Sequence, residues 1–331
     1  MLLAGDIGGT KTVLAIYEEL GSADFDHQPL IETVFPSTSY ESLEAIIADF
    51  LAQRDLAITG ASFGVAGPVV NQKAQVTNLP WTIDAHSLSL AIGAPTHLLN
   101  DLEAIANAIP YLEEEDLHTL NSGEPQATGA KAVIAPGTGL GEAFLVWTGA
   151  GYESYPSEGG HAAFAPTTQR QLDMLAFWLA RVNHVSYERL CSGIGIPNIY
   201  TYLRDGANYE EPAWLAAELA AVKDSTPVIV TAAVNQTADI CVATLNLFME
   251  ILGGESANLA LKTLATGGIY VGGGIPPRIL PQLDGSNFMD VFRNKGRFSQ
   301  MMATIPVYVI RNPKVALYGA AYEALRVGTA V

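Results

Sequence analysis

Residues 3–17, LAGDIGGTKTVLAIY, indicate the fold most clearly. A second stretch of the same kind covers residues 131–147, KAVIAPGTGLGEAFLVW. Each is apolar, then glycine-rich with a threonine, then apolar again, which predicts two strands joined by a tight turn. An ungapped alignment places Gly8 on Gly139. The repeat favours two similar domains, although two unrelated hairpins would give the same pattern.

Strand-like and helix-like segments alternate in both halves of the chain, which predicts an α/β fold. We expect residues 2–6 to pair with residues 12–17, a third strand over residues 31–37, and a helix that begins at an N-cap Ser39. Residues 113–131 are polar and predict a connection between domains. Residues 167–265 are mostly helical in pattern and include one long amphipathic run over residues 227–252.

Length and composition restrict the class of protein. A chain of 331 residues is long enough for two domains, and its net charge of −17 argues against a nucleic-acid partner. Cys191 and Cys241 lack the spacing of a zinc site or a disulfide framework. We find neither a signal peptide nor an apolar run of about 18 residues. We therefore expect a soluble cytoplasmic protein without a membrane partner.

Both glycine turns have the composition of a phosphate site. Glycines let bare backbone N–H groups line a concave surface that attracts anions, and threonine hydroxyls add donors. Two such turns could hold one nucleotide, although each turn could equally serve folding alone. The residues concerned are Gly5, Gly8, Gly9 and Thr10 in the first stretch and Gly137, Thr138, Gly139 and Gly141 in the second.

Asp6 lies beside the first turn, where a carboxylate would repel a phosphate unless a cation stood between them. Magnesium bound through water resolves that conflict, because hard oxygen ligands suit it. An aspartate that only caps the turn is the alternative.

Asn100 and Asp101 follow a buried apolar segment, at the carboxyl end of a predicted strand. Ligand sites of α/β proteins gather at such ends, and a carboxylate there can act as a general base. Either residue could instead cap the helix that follows.

Three further polar residues stand in apolar surroundings. Glu158 and His161 flank two glycines in SEGGHAAFAP, and Glu188 precedes a Ser-Gly turn. Carboxylates and an imidazole can bind several hydroxyls of one polyol, whereas one His and one Glu make a poor metal site. For Glu188 a solvated helix position is the alternative.

Together these motifs resemble the bacterial glucokinases of the hexokinase/actin-like ATPase superfamily, of the proteobacterial and cyanobacterial type. The resemblance covers nearly the whole chain, and its motifs occur in the family's order. They include GDIGGT, TNLPW, NDLEAIANAIP, GTGLGEAFLV, SEGGHAAFAP, ERLCSG and GGIYVGGGIPPR. Two positions depart from the family: Lys11 replaces the usual asparagine, and ESANLAL lacks the usual paired glycine before Asn258.

The resemblance implies two actin-like (ribonuclease H-like) domains related by duplication, with the active site in the cleft between them. The smaller domain would comprise residues 1–111 and about 314–331, and the larger one residues 112–313. It also implies ATP-dependent phosphorylation of D-glucose to glucose 6-phosphate. A kinase for another hexose, such as mannose or fructose, and a non-catalytic sugar sensor are the alternatives. A homodimer is what the family suggests.

The resemblance assigns roles residue by residue. Asp101 matches the catalytic base, and Asn100, Asp101, Glu158, His161 and Glu188 match the glucose ligands. Asp6 would hold Mg²⁺ through water. The expected ATP-binding residues are Gly5, Asp6, Ile7, Gly8, Gly9 and Thr10, then Gly137, Thr138 and Gly139, with Gly273 and Gly274 by the adenosine.

Overall fold

The computed structural model describes residues 1–19, 28–52, 54, 56–76 and 79–329. Thr77 and Asn78 of the TNLPW motif lie outside the described residues. The chain divides into two compact units, each with its own sheet. The first comprises Met1–Glu113, Ala150–Tyr155 and Asn312–Val331, and the second comprises Glu114–Gly149 and Pro156–Arg311. The predicted division placed residues 150–155 in the second domain.

The structure is mixed α/β, with strands and helices alternating along the chain. The strands are β1 Leu2–Ile7, β2 Lys11–Tyr17, β3 Ile31–Pro36, β4 Gly60–Val65, β5 Val69–Val70, β6 Lys73–Gln75, β7 Thr82–Asp84, β8 Thr96–Asn100, β9 Leu117–Asn121, β10 Lys131–Pro136, β11 Leu140–Trp147, β12 Tyr152–Ser157, β13 Gly268–Val271 and β14 Val307–Ile310. The helices are α1 Leu43–Leu51, α2 Ala85–Ile92, α3 Asp101–Ala108, α4 Gln169–Leu179, α5 Gly195–Asp205, α6 Ala213–Ala221, α7 Thr226–Val234, α8 Asp239–Thr263, α9 Leu280–Asp284, α10 Phe288–Arg293, α11 Ser299–Thr304 and α12 Val315–Thr329.

The two main sheets share the order of five strands, and the second sheet has β9 as a sixth strand at its edge. In the first the strand order is β3-β2-β1-β4-β8, and in the second it is β12-β11-β10-β13-β14-β9. In each, the first strand of the glycine hairpin pairs antiparallel with the second and parallel with a later strand. The predicted first hairpin and its third strand are confirmed.

The two hairpins correspond in a register that the ungapped alignment missed. In the first, Ile7 pairs with Thr12, and in the second Pro136 pairs with Leu140. The Gly8 N–H donates across its turn to Lys11 O at 3.0 Å, and the Gly137 N–H donates to Gly139 O at 2.9 Å. Gly8 therefore corresponds to Gly137, and placing it on Gly139 was wrong because turns of different length need a gap.

Three details of the predicted elements were also wrong. The N-cap of α1 is Ser42, whose Oγ accepts from the Ala45 N–H at 3.3 Å, whereas Ser39 lies in a separate 3₁₀ turn. The polar segment before β10 contains a strand, β9, which pairs antiparallel with β14. The run over residues 227–252 is interrupted between α7 and α8, where Gln236 has a positive φ of 54°.

Helix α8 is the centre of the second unit's core. It is the one helix among the described residues that is long and apolar enough to cross a membrane, but 78% of its most apolar window is buried inside the protein. Its buried side chains pack with those of the second sheet and of α5, α7 and α10. In the first unit, α12 covers one face of the sheet and the cluster around α1 and α2 covers the other. Both sheets are thus buried, which holds their strand ends in place.

Candidate active site

The first glycine turn is braced from outside. The Oγ of Ser37 donates to Gly8 O at 2.8 Å, and the Ser37 N–H donates to Thr10 O at 3.0 Å. Ser37 is fully buried and also hydrogen-bonds the Thr12 hydroxyl at 3.0 Å. With two of its carbonyls bound from this side, the turn leaves backbone N–H groups of Gly9 and Thr10 available for an anion.

Asp6 stands at the end of β1, directly before this turn. Burial raises the pKa of its carboxyl; Lys11 opposes that shift and the Asp101 carboxylate adds to it. No described residue donates a hydrogen bond to this carboxyl, so its oxygens suit Mg²⁺ held through water. The described residues contain no cluster of three or more His, Cys, Asp or Glu side chains that could hold a metal by themselves.

Asn100 and Asp101 occupy the junction of β8 and α3. The Oδ1 of Asn100 accepts from the Glu103 N–H at 2.6 Å, so Asn100 is the helix N-cap, and the cap does not use its amide N–H₂ group. The carboxyl of Asp101 reaches solvent, yet desolvation by the surrounding protein raises its pKa, while the N–H groups of Leu102 and of Asp101 itself lower it. An accessible carboxylate of raised basicity suits proton abstraction.

The second glycine turn is tied to Glu188. The Oε2 of Glu188 accepts from the Leu140 N–H at 3.0 Å, directly after the turn. A side chain at residue 139 would overlap this carboxylate, so the observed position of Glu188 depends on glycine there. On the other side, the Gly193 N–H donates to Gly137 O at 2.7 Å.

Glu188 also belongs to a cluster of three predicted sugar ligands in the second unit. His161 lies 3.9 Å from Glu158 (Nε2 to Oε2) and 3.9 Å from Glu188 (Nδ1 to Oε1). The side chains of Glu158 and His161 are 86% and 61% exposed, and that of Glu188 is 26% exposed. An imidazole between two accessible carboxylates provides several hydrogen-bonding atoms for adjacent hydroxyl groups.

A cavity of about 770 Å³ opens beside the second turn. Two hydrogen bonds join the turn after β13 to β10 beside this cavity. The Ile275 N–H donates to Pro136 O at 3.4 Å, and the Gly272 N–H donates to Ile134 O at 2.9 Å. Gly274 lines the cavity, and Gly273 precedes it. This volume is in the range of small-molecule sites. Its lining includes Gly137, Thr138, Gly193, Thr226, Gly274 and Arg278.

Several of these residues escaped the sequence analysis. Thr226 Oγ1 donates to Gly193 O at 2.7 Å and fixes the cavity wall. The glycine pair in SGIGIP and the breaker run KDSTP were the available signals. No sequence pattern indicated the role of Ser37, because that role depends on its contact with Thr10, 27 residues earlier in the chain.

The structure thus brings the predicted residues together within each unit. In the first, the turn, Asp6, Asn100 and Asp101 gather at the ends of β1 and β8. In the second, the turn, Gly274 and the three sugar-ligand candidates gather at the ends of β10 and β13. Each α/β unit contains the same order of five strands and a glycine turn. These features define the actin-like ATPase fold, as predicted.

The chain belongs to the glucokinase family. The family model described as Glucokinase matches residues 3–327. A glucokinase of Nostoc punctiforme is 39% identical over 340 residues, which cover 98% of this chain and 99% of that protein. The resemblance that the motifs indicated is therefore confirmed, and the chain is an enzyme of this family.

Solved structures agree on the fold. The glucokinase from an Antarctic psychrotroph has a TM-score of 0.88 at 30% identity and covers 98% of each chain. A ROK family glucokinase from Streptomyces griseus, solved in complex with glucose and AMPPNP, has a TM-score of 0.62 at 20% identity and covers 98% of this chain and 99% of its own.

Proposed function

We propose that this enzyme transfers the γ-phosphoryl group of ATP to the 6-hydroxyl of D-glucose, giving glucose 6-phosphate and ADP. Membership of the glucokinase family supports the reaction, and relatives at 39% identity carry that name. The observation that carries the proposal is Asp101, an accessible carboxyl of raised pKa at the end of a buried parallel strand. Such a group is placed and tuned for proton abstraction from a hydroxyl.

Asp101 acts as the general base in this proposal. Its carboxylate accepts the proton of the 6-hydroxyl as the oxygen attacks phosphorus. The hydrogen bonds from the N–H groups of Leu102 and Asp101 hold the carboxylate in position at the start of α3. Because desolvation strengthens the base, the raised pKa favours this transfer.

The other hydroxyls of glucose are assigned to Asn100, Glu158, His161 and Glu188. The 3.9 Å spacings of His161 from both glutamates leave space for hydroxyl groups that bridge between the side chains. A sugar without one of these hydroxyls would leave a polar group unpaired, which costs about 1–3 kcal/mol. This cost would make the site selective among hexoses.

ATP is assigned to the two glycine turns and the cavity beside the second. Support comes from the N–H groups of Gly9 and Thr10 in the first turn and of Thr138 and Gly139 in the second, which suit phosphate oxygens, and from the bound glucose and AMPPNP of the Streptomyces griseus relative. Magnesium, when bound, neutralises charge on the phosphates. Asp6 would hold that ion through water, and Lys11 beside it would compensate part of the negative charge.

We also propose a cytoplasmic enzyme that supplies glycolysis with sugar phosphate, without nucleic-acid or membrane partners, and a homodimer as its assembly. The net charge of −17 supports the first part, because phosphate-rich polymers would be repelled. Sedimentation at several protein concentrations would test the assembly.

The deciding experiment is ADP release from MgATP with glucose, mannose, fructose, glucosamine and N-acetylglucosamine. We expect a strong preference for glucose. Turnover of another hexose would keep the mechanism and change the substrate. Absence of turnover with every sugar, together with glucose binding by calorimetry, would identify a sugar sensor and contradict the proposal.

A further inference from the structure

Glu142 is a buried carboxyl next to the candidate sugar site. It lies on β11 with 2% of its surface exposed, and its Oε1 has no hydrogen-bond partner among the described residues. Its neighbour across the hairpin, Ile134, is apolar. Burial raises the pKa of Glu142 to about 7; the Glu255 carboxylate adds to this shift and Lys262 opposes it. Both protonation states are therefore populated near neutral pH.

The Glu142 carboxyl supports the turn that carries Glu158 and His161. Its Oε2 occupies the place that a side chain at residue 159 would need, so it packs directly against Gly159. The Gly160 carbonyl accepts from the Glu188 N–H at 2.8 Å on the other side. The turn Gly159–His161 is thus held between Glu142 and the segment of Glu188.

A second buried carboxyl lies nearby but has its own partners. Glu255 on α8 is fully buried, accepts from Asn258 Nδ2 at 2.8 Å, and pairs with Lys262 Nζ at 3.3 Å. Asn258 also donates to the Tyr187 hydroxyl at 2.9 Å, next to Glu188. Glu255 thus has hydrogen-bond and ion-pair partners, whereas the Oε1 of Glu142 has none among the described residues.

We propose that Glu142 is a positioning residue of the sugar site, which in its neutral form holds the turn Gly159–His161 against β11 and so sets the affinity for glucose. This inference rests on the proposed function, because it takes Glu158 and His161 as sugar ligands. A neutral carboxyl packs against Gly159 at a much lower cost than a charged one, because burying an unpaired charge costs far more than burying an unpaired polar group. A charged one gains free energy by hydration, which requires the turn to lift from β11.

The groups that face Glu142 determine the electrostatic interactions of its charged form. They are Glu255 and Lys262 of α8 and the buried thiol of Cys191, whose pKa burial raises and Glu142 raises further. Ser157 Oγ at the end of β12 already accepts from the Gly159 N–H at 3.0 Å, and the titratable groups on and beside the turn are His161 and Glu158. No cation among these groups lies within salt-bridge distance of Glu142 in the described residues.

The test is the pH profile of the glucose KM for the native enzyme and for Glu142→Gln. Between about pH 6 and about pH 8 we expect the native KM to rise about fivefold to tenfold, because affinity follows the protonated fraction. The KM of Glu142→Gln should stay low across this range, and its kcat should remain within about twofold of the native value. Titration of other site residues is common to both proteins and cancels in the ratio of the two KM values.

Two further variants make the result specific. Glu323→Gln removes a buried carboxylate of the first unit, and its KM profile should follow the native one. Glu255→Gln removes the neighbouring negative charge, which should move the rise in KM to lower pH. This second shift also decides the matter if Glu142→Gln does not fold.

An equal rise in KM for the native enzyme and Glu142→Gln would overturn the positioning role, and so would a flat native profile. Failure of the proposed function has a different signature: Glu158→Gln would leave the glucose KM unchanged. A higher KM in Glu158→Gln with matching profiles for the native enzyme and Glu142→Gln would contradict the positioning role alone.

Discussion

The two glycine turns share a backbone topology and differ in the charges that flank them. The first lies between Asp6 and Lys11, whereas the second lies between Pro136 and Leu140 and receives its charge from Glu188, 48 residues further along the chain. The repeated part is the set of backbone N–H groups. What each turn can bind beyond an anion depends on side chains from elements that are not repeated.

The surroundings of the turns differ in the same way. The second turn borders a cavity of about 770 Å³, which the segment around Gly193 and Thr226 completes. Beside the first turn, burial raises the pKa of Asp6, Lys11 opposes this shift, and the Asp101 carboxylate adds to it. Under the proposed function, Asp6 and Asp101 of the first unit would handle the ion and the proton, whereas the second unit would supply the cavity and three of the sugar ligands. The following variants test this division.

The largest expected effect belongs to the first unit. Asp101→Asn should lower kcat about 10²–10⁴-fold with little change in glucose binding, because it removes a base but keeps the shape. Rates and calorimetric affinities measured on one preparation would check this. A Glu103→Gln variant, two residues further along α3, serves as the control, and an unchanged kcat in Asp101→Asn would remove the residue from the base role.

The second turn should respond to a single methyl group. Gly139→Ala forces the Glu188 carboxylate aside, so we expect the glucose KM to rise about tenfold to a hundredfold. The methyl group of Gly137→Ala would meet no protein atom within 4 Å, so the turn should keep its shape. The added methyl group would instead occupy space at the proposed phosphate site, which should raise the KM for ATP. Steady-state kinetics with each substrate varied would check both values. Gly151→Ala, in an open turn elsewhere, is the matched control, and equal effects on both KM values in Gly139→Ala would contradict the assignment.

Two buried glutamates, one in each unit, should titrate with opposite effects on stability. Burial raises the pKa of Glu142 from its ordinary 4.5 to about 7, so its contribution to stability is fully present below 4.5 and is lost as the pH rises to about 7. Glu142→Gln should therefore be more stable than the native protein at about pH 8, by on the order of 3 kcal/mol, and the gain should shrink towards about pH 5.

Glu323 provides the opposite case. Burial would raise its pKa, but hydrogen bonds from Arg326 and His97 prevail and lower it. Its contribution to stability is present above 4.5 and is lost as the pH falls through the lowered pKa, so Glu323→Gln should cost about 2 kcal/mol at neutral pH. Urea unfolding at several pH values would measure both variants. A gain for Glu142→Gln that is constant with pH would argue for better packing rather than a removed charge.

The smallest effect tests the start of α1. Ser42→Ala removes the hydrogen bond to the Ala45 N–H and should cost about 1 kcal/mol of unfolding free energy. Ser39→Ala should lower the free energy of unfolding much less, because the hydroxyl of Ser39 does not cap α1. Equal losses in urea unfolding would place the cap elsewhere.

Local patterns predicted much of this fold. The alternation around Gly8 predicted the β1–β2 hairpin, and Asn100 and Asp101 were expected at a strand end because a buried run precedes them. Strand β9 was missed because LHTLN is short and half-exposed, and it is held by pairing with β14, almost 190 residues later in the chain. The break before α8 was missed because apolar residues resume at helical spacing after the polar residues 235–237, where Gln236 has a positive φ of 54°.

The class of fold, the two glycine turns and the residue types that can bind phosphates and hydroxyls were predictable from sequence. The spacing of apolar residues and the glycine content act on the backbone locally. Only the tertiary structure decided the register of the second turn, the bracing of the first by Ser37, and the burial of Glu142 beneath Gly159. Those depend on contacts between distant segments, and the pKa of a carboxyl is set by what surrounds it rather than by its neighbours in the chain.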